Sequence, residues 1–390
     1  MEMTFEDDYT EFRDAVAAIC KDFPGKYWRD LEDQPSDGSY PTDFVDALTQ
    51  SGFLAALIPE SYGGSGLPIR AGAVILEAIH ESGCSAAACH AQMYTMGTIL
   101  RHGSEEQKQK YLPQIAKGSL RLQAFGVTEP NTGSDTTQLK TKAERDGNGY
   151  VINGQKVWTS RAAHSDLMLL LARTTPPEEC EKRTDGLSCF LIDLREVTDN
   201  GCQIKPLDAM INHNTTEVFF DNMHIPGDAL IGQEGKGFRY ILDGMNAERV
   251  LIAGESLGDG KFFIDKGVSY ANERVVFDRP IGQNQGIQFP LAKSWAELQG
   301  ADIMARKAAA LFDSGRPCGA EANMAKYQAA KAAWEAAEAC LMTHGGFGFA
   351  REYDVERKWR EARLYRTAPV SENMILAYIG QNILGMPRSY

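Results

Sequence analysis

The chain has 390 residues, 43% of them hydrophobic and 24% charged, proportions of a folded protein with room for two or three domains and a sizeable core. It has no run of about 18 apolar residues to span a membrane, and a net charge of −13 argues against nucleic-acid binding, which is mostly lysine and arginine work. Eight cysteines without a C-x-x-C pair or a His-paired spacing argue against zinc and for a reducing, cytoplasmic compartment.

The first residues, Met1 to Asp8, are acidic and lack the apolar core of a signal peptide. Residues 1–122 read as helical. Phe12, Val16 and Ile19 form a short amphipathic stripe, and Phe44 and Leu48 follow Pro41 as in a capped helix. A glycine-rich break at Ile58–Leu67 precedes an Ala-rich stretch from Ile69 to Leu100, after which Ser104 and Gln107 make a capping box. From 123 to 234 the period shifts to two. Thr128–Asp135 is rich in turn residues, and β-like runs at Gly149–Ile152 and Lys156–Thr159 flank Asn153-Gly154, the strongest short hairpin signal. Asp166–Arg173, Gly186–Asp193 and Thr216–Asp221 are further strands, separated by turns at Pro176-Pro177 and Asp199-Asn200-Gly201. From 235 to 390 strands disappear. Phe238–Tyr270, Gly286–Ser314 and Glu321–His344 read as long helices, the last with a packing seam at Tyr327, Ala330, Trp334, Ala337 and Leu341. The expected fold class is multi-domain α+β: an N-terminal helical domain (1–122), a middle β-barrel domain (123–234) and a C-terminal four-helix bundle (235–390).

Glu248 is the most informative single residue. Ile241, Met245, Glu248 and Ile252 recur at steps of four, three and four, so a carboxylate sits within an apolar helix stripe. Such a group is costly to ionise, which suits a base for C–H abstraction. A buried glutamate satisfied by Arg249 or by backbone is the structural alternative. Trp158, likewise, reads equally as a core aromatic or as a surface for a flat cofactor.

The order Val127-Thr128-Glu129-Pro130, Gly133-Ser134-Asp135, Gly154-Gln155-Lys156-Val157-Trp158 resembles the signature of the acyl-CoA dehydrogenase family, flavoproteins that desaturate acyl-CoA thioesters. The match runs over nearly the whole chain and is weaker before Ile58. It implies FAD as cofactor, with Phe125, Val127, Thr128, Gly133, Ser134, Trp158 and Ser160 around the flavin ring. Arg274, Phe277, Gln285, Gly345 and Gly346 match contacts to the pyrophosphate and adenosine half, with Arg274 reaching the cofactor of a neighbouring subunit. Ser371 and Asn373 match the polar pair after the family's C-terminal base. That base is absent, because its position holds Pro369. Ala247-Glu248-Arg249 instead resembles the base position of long-chain and isovaleryl members, so the resemblance implies Glu248 as the catalytic residue, with Ser134, Asn246 and Arg249 toward the acyl-CoA substrate. Proline has no N–H to polarise the thioester carbonyl, leaving that role to a neighbouring amide such as Val370 or to the flavin ribityl chain. Departures at Met210–Asn214, Thr159, Asn246 and Asp278 bear on substrate identity rather than on FAD binding. The implied activity is α,β-dehydrogenation to a trans-2-enoyl-CoA with electrons passed to an electron-transferring flavoprotein, in a homotetramer built as a dimer of dimers. The rivals are an acyl-CoA oxidase, a thioester eliminase, or a low-turnover flavin-binding relative.

Overall fold

The computed structural model describes residues 9–388. Six helices come first: α1 (Thr10–Cys20), α2 (Gly25–Glu32), α3 (Thr42–Gln50), α4 (Ile69–Glu81), α5 (Ala87–His102) and α6 (Glu105–Ala116). The Ala-rich stretch is two helices, because the chain turns between α4 and α5 with Gly83 at φ 80°, a value glycine adopts without steric cost. The capping box forms as read. Ser104 Oγ accepts from the Gln107 N–H, and the Ser104 N–H donates to the Gln107 side chain.

Eight strands follow: β1 (Leu122–Gly126), β2 (Lys142–Asp146), β3 (Gly149–Ser160), β4 (Leu167–Arg173), β5 (Leu187–Asp193), β6 (Cys202–Pro206), β7 (Thr215–Pro226) and β8 (Leu230–Ile231), with a four-residue helix α7 (Leu194–Val197) after β5. Their order is β6-β7-β3-β2-β4-β5-β8, with β1 parallel to β4. One edge of β4 is shared, by β1 along Leu167–Leu170 and by β2 at Arg173.

The expected hairpin turn at Asn153-Gly154 is not there. β3 runs straight through it, and the tight turn lies earlier, at Gly147-Asn148, where β2 and β3 pair antiparallel. Gly154 marks a shift in the register of β3 against β7. Its φ is 150°, and a Cβ there would come within 2.6 Å of Thr141 Oγ1, so glycine serves a bulge against a neighbouring strand. β3 shifts register again between Lys156 and Thr159, where Trp158 takes φ 60°.

The remaining elements are α8 (Gly237–Glu273), a two-residue ladder of β9 (Val275–Val276) and β10 (Arg279–Pro280), α9 (Gln285–Asp313), α10 (Gly319–His344), α11 (Val355–Leu364) and α12 (Glu372–Tyr378). Strands therefore do not vanish after 235: β9 and β10 form a miniature hairpin through Phe277 and Asp278, both at positive φ. The seam on α10 is also wider than the stripe at 327–341. Alanines at 322, 325, 329, 332, 333 and 336 are buried beside Ala330 and Ala337, since small side chains let neighbours approach on several sides.

The chain divides into two compact units. One comprises the described parts of Met1–Asp30, Pro68–Ala86 and Asn246–Tyr390; the other comprises Leu31–Leu67 and Ala87–Met245. In the second unit the sheet buries two cores. One is centred on Tyr150, Ile152, Phe190 and Met223, and the other joins Leu167, Leu169 and Leu171 to Ile99, Leu112 and Ile115 of the helices. Alternate residues of β4 point to opposite cores, which is why that strand reads as an unbroken apolar run.

The first unit is organised around buried charge. His80, Asp259 and Glu361 converge as metal ligands can, but the Lys358 ammonium fills the space, 2.6 Å from Asp259 Oδ1, 2.9 Å from Glu361 Oε2 and 3.0 Å from His80 Nδ1. The Ala86 N–H donates to His80 Nε2, so Nδ1 carries the ring proton and donates it to Asp259. Arg357 closes the cluster by bonding Glu361 and the Gly83 carbonyl. Nearby, Glu77 is held between Arg13 and Lys261 at 3.0 and 2.6 Å.

Candidate functional site

In the sheet unit, β1 ends at Gly126 and delivers Val127, Thr128 and Glu129 alongside β3. The Val157 N–H donates to the Thr128 carbonyl at 2.9 Å, tying the two signature segments together. Behind them lies an ion pair. Lys156 is fully buried, and its Nζ donates to the Val127 carbonyl at 3.0 Å and to Glu129 Oε1 at 2.9 Å. The Glu129 carboxylate also accepts the Lys140 and Thr141 N–H groups at 2.6 and 2.8 Å. Burial drives the Lys156 ammonium down to about 8 against the pull of Glu129. Burial raises the Glu129 carboxyl, but Lys156 and the donors outweigh it and leave it below its ordinary value. The pair holds the Thr128–Asp135 turn and the Trp158 bulge in one piece.

The structure thus brings Phe125 of β1 and the Val127 and Thr128 that follow it alongside β3, which carries Trp158 and Ser160. Trp158 is 59% exposed, an unusual place for an indole on a left-handed backbone. Gly133 and Ser134 lie exposed on the turn, and a Cβ on Gly133 would meet nothing within 4 Å. The departure at Met210–Asn214 has a structural use. Asn212 and Asn214 donate to the Ser39 carbonyl and hydroxyl at 2.9 and 2.6 Å, and the Asn214 carbonyl accepts the Arg161 N–H just after β3. Thr159 is buried, and its carbonyl accepts the Thr216 hydroxyl at 2.6 Å.

In the other unit, the expected residues form two groups. Arg274 lies over the Phe347 ring at 6.0 Å, next to Gly345 and Gly346, whose added Cβ atoms would meet nothing within 4 Å. Phe277, at the tip of the β9–β10 turn, is 94% exposed, and Gln285 is exposed at the start of α9. The second group surrounds Glu248. That residue is 6% exposed, between Ile241 at 7% and Ile252 at 5% on α8. The Arg249 guanidinium turns to Asn246 Oδ1 at 3.0 Å, and burial lowers its proton affinity while Glu248 opposes that shift. Ser371 caps α12 by accepting the Met374 N–H, and Asn373 is exposed on its first turn.

Three family profiles match in series: acyl-CoA dehydrogenase N-terminal domain over residues 6–119, middle domain over 124–223 and C-terminal domain over 235–384. The acyl-CoA dehydrogenase FadE12 of Mycobacterium tuberculosis is 34% identical, over 97% of this chain and 96% of that protein. The chain belongs to the acyl-CoA dehydrogenase family. Its fold is that of a glutaryl-coenzyme A dehydrogenase solved with glutaryl-CoA (TM-score 0.89, 28% identity, 100% of this chain and 98% of that one). A chain solved in a study of the electron transferring flavoprotein of Acidaminococcus fermentans is equally similar (TM-score 0.89, 27% identity, 98% and 100%).

This acyl-CoA dehydrogenase is accordingly an FAD-dependent oxidoreductase acting on acyl-CoA. Its residues fit that cofactor: an outward-facing indole beside the hydroxyls of Thr128 and Ser160 suits a flat hydrogen-bonding ring, and an exposed arginine next to two open glycines suits a pyrophosphate. Glu129 and Lys156 belong to the sequence signature, which by itself assigns them no role. The signal available was a lysine in a strand otherwise alternating toward a core, which needs a carboxylate partner. Nothing in the sequence singles out Lys326. It is 1% exposed in the alanine seam of α10 and donates to the Val370 carbonyl at 2.7 Å.

Proposed function

We propose that this chain desaturates an acyl-CoA thioester between its α and β carbons, with Glu248 as the base that removes the α-proton. One observation carries the reading: Glu248 is a buried carboxylate on α8, in a chain whose C-terminal base position is Pro369. Bound FAD supplies the acceptor for the β-hydride. The protein's part is to orient and to desolvate. Glu129 and Lys156 fix the strands that carry Thr128 and Trp158, and the apolar neighbours of Glu248 on α8 keep water from competing for its proton. The Val370 N–H takes the carbonyl-polarising role that Pro369 cannot fill; among the described residues it donates to no acceptor. Asn246 and Arg249 form the polar edge next to the base and face the thioester end of the substrate.

The proposed electron acceptor is an electron-transferring flavoprotein, and the proposed assembly is a homotetramer in a reducing, cytoplasmic compartment. All eight cysteines are free thiols, and no helix among the described residues is long and apolar enough to cross a membrane. Val275, Phe277, Met342 and Phe349 are 56%, 94%, 75% and 74% exposed on one unit, apolar surface that association would cover. The test is anaerobic flavin bleaching by a panel of saturated acyl-CoAs, wild type beside Glu248→Gln. Wild type should bleach with at least one thioester, and the variant should be slower by about 10²–10⁴-fold. Equal rates would remove Glu248 as the base, and no bleaching with any thioester would remove the reaction.

A further inference from the structure

Lys326 is a buried charge that the reaction, as proposed, does not use. Two contacts bracket it. On α8, Asn246 comes within 4.0 Å of a Cβ placed on Gly319 of α10, and Ile252 packs with Ala330 and Tyr365. Glu248 and Arg249 lie between those points on α8, and Lys326 lies between them on α10, seven residues beyond Gly319 and so on the same face. The Lys326 stem is enclosed, and its ammonium has one hydrogen-bond acceptor among the described residues, the Val370 carbonyl one residue after Pro369. A fully buried ammonium satisfied by a single neutral carbonyl is unfavourable unless an anion shares its surroundings.

We propose that Lys326 is a positioning residue of the proton-abstraction site, whose ammonium keeps Glu248 ionised and tethers the Pro369–Ser371 segment beside it. This rests on Glu248 being the base. The charged and titratable groups acting there are Glu248 and Arg249 from α8, Glu372 from the start of α12, and, through Arg249, Tyr378 and Cys318. Burial and then the Arg249 charge push the Lys326 ammonium down to about 8, while Glu248 and Glu372 pull it up. Of the two carboxylates, Glu248 acts on Lys326 more strongly than Glu372, and Glu372 is engaged by Arg366 at 2.6 Å. Removing the cation raises the proton affinity of the carboxylate beside it.

The experiment compares wild type, Lys326→Met, Lys326→Arg and Glu248→Gln. The first readout is the pH dependence of single-turnover flavin reduction. The second uses flavin-free protein: the infrared carbonyl band of protonated Glu248, assigned by its loss in Glu248→Gln and titrated with pH. In Lys326→Met the acid limb of the rate and the infrared midpoint should both move up by about one pH unit or more, the size of losing one nearby opposite charge. Lys326→Arg, which keeps the charge, should leave both where wild type has them. A pH-independent fall in rate with an unmoved infrared midpoint would show a merely structural lysine and overturn the proposal. If Glu248→Gln bleaches as fast as wild type, it is the base assignment that fails instead. Should Lys326→Met not fold, Lys326→Arg decides the matter. Wild type should show a step in rate near pH 8, where its lysine deprotonates, and the arginine variant should lack it. A step of equal size in both would overturn the proposal.

Discussion

Replacing Glu129 by glutamine tests whether a buried ion pair holds together the strands proposed to face the flavin. The change keeps the shape of the side chain and removes its charge. Lys156, fully buried, would keep only the Val127 carbonyl as a full acceptor, and the new amide N–H would face either the ammonium or the Lys140 and Thr141 N–H groups. Coulomb's law at the observed 2.9 Å, with an effective dielectric of about 20, gives roughly 6 kcal/mol for the pair. The carbonyl contact and relaxation reduce this to the ~3–5 kcal/mol typical of breaking a buried pair from one side. For a folding unit of this size each kcal/mol moves the midpoint by about 2–4 °C, so a fall of ~10 °C is expected. Calorimetry of wild type, Glu129→Gln, Lys156→Met and the double variant measures it, and FAD retained after gel filtration reports the strands directly. The double variant leaves no stranded charge and should be more stable than the sum of the singles by about 2 kcal/mol or more. A single variant within about 1 kcal/mol of wild type, or additive singles, would refute the idea that this pair fixes the site.

Trp158→Ala should separate cofactor binding from stability. The indole is 59% exposed, so the melting point of the apoprotein should stay within about 0.5 kcal/mol of wild type, while FAD affinity, titrated by flavin fluorescence, should fall by about tenfold or more. An acid titration should show the buried carboxylates of the helical unit. Burial raises Glu77 and Glu361, but Lys261 and Arg13 around the first, and Lys358 and Arg357 around the second, bring each to about 2 from an ordinary 4.5. The folded value lies below the unfolded one, so their stabilisation is complete above pH 4.5 and is lost as pH falls toward 2, about 3 kcal/mol for each. Glu77→Gln should be less stable at neutral pH and show a shallower loss of stability across that acid window; an unchanged slope would mean that Glu77 does not contribute.

The amino-acid sequence by itself determined the succession of helical, sheet and helical segments, because apolar periods of 3.6 and 2 are local properties. It determined the capping box at Ser104 and Gln107, whose partners are three residues apart. It also carried the family signature, and through it the cofactor and the proposal of Glu248 as the base. The Asn153-Gly154 pair shows where local reading stops. Its composition favours a turn, but the ladders of β2 and β7 on either side keep β3 running through it, and the glycine is used for a bulge beside Thr141. Lys156, Lys326 and Lys358 are unremarkable polar residues in the sequence. Only tertiary structure makes them buried cations, because Glu129 lies 27 residues from Lys156, the Val370 carbonyl 44 from Lys326, and Asp259 nearly a hundred from Lys358. Pairing over such separations is decided by packing, since a charge finds its partner only once the fold has removed water from both.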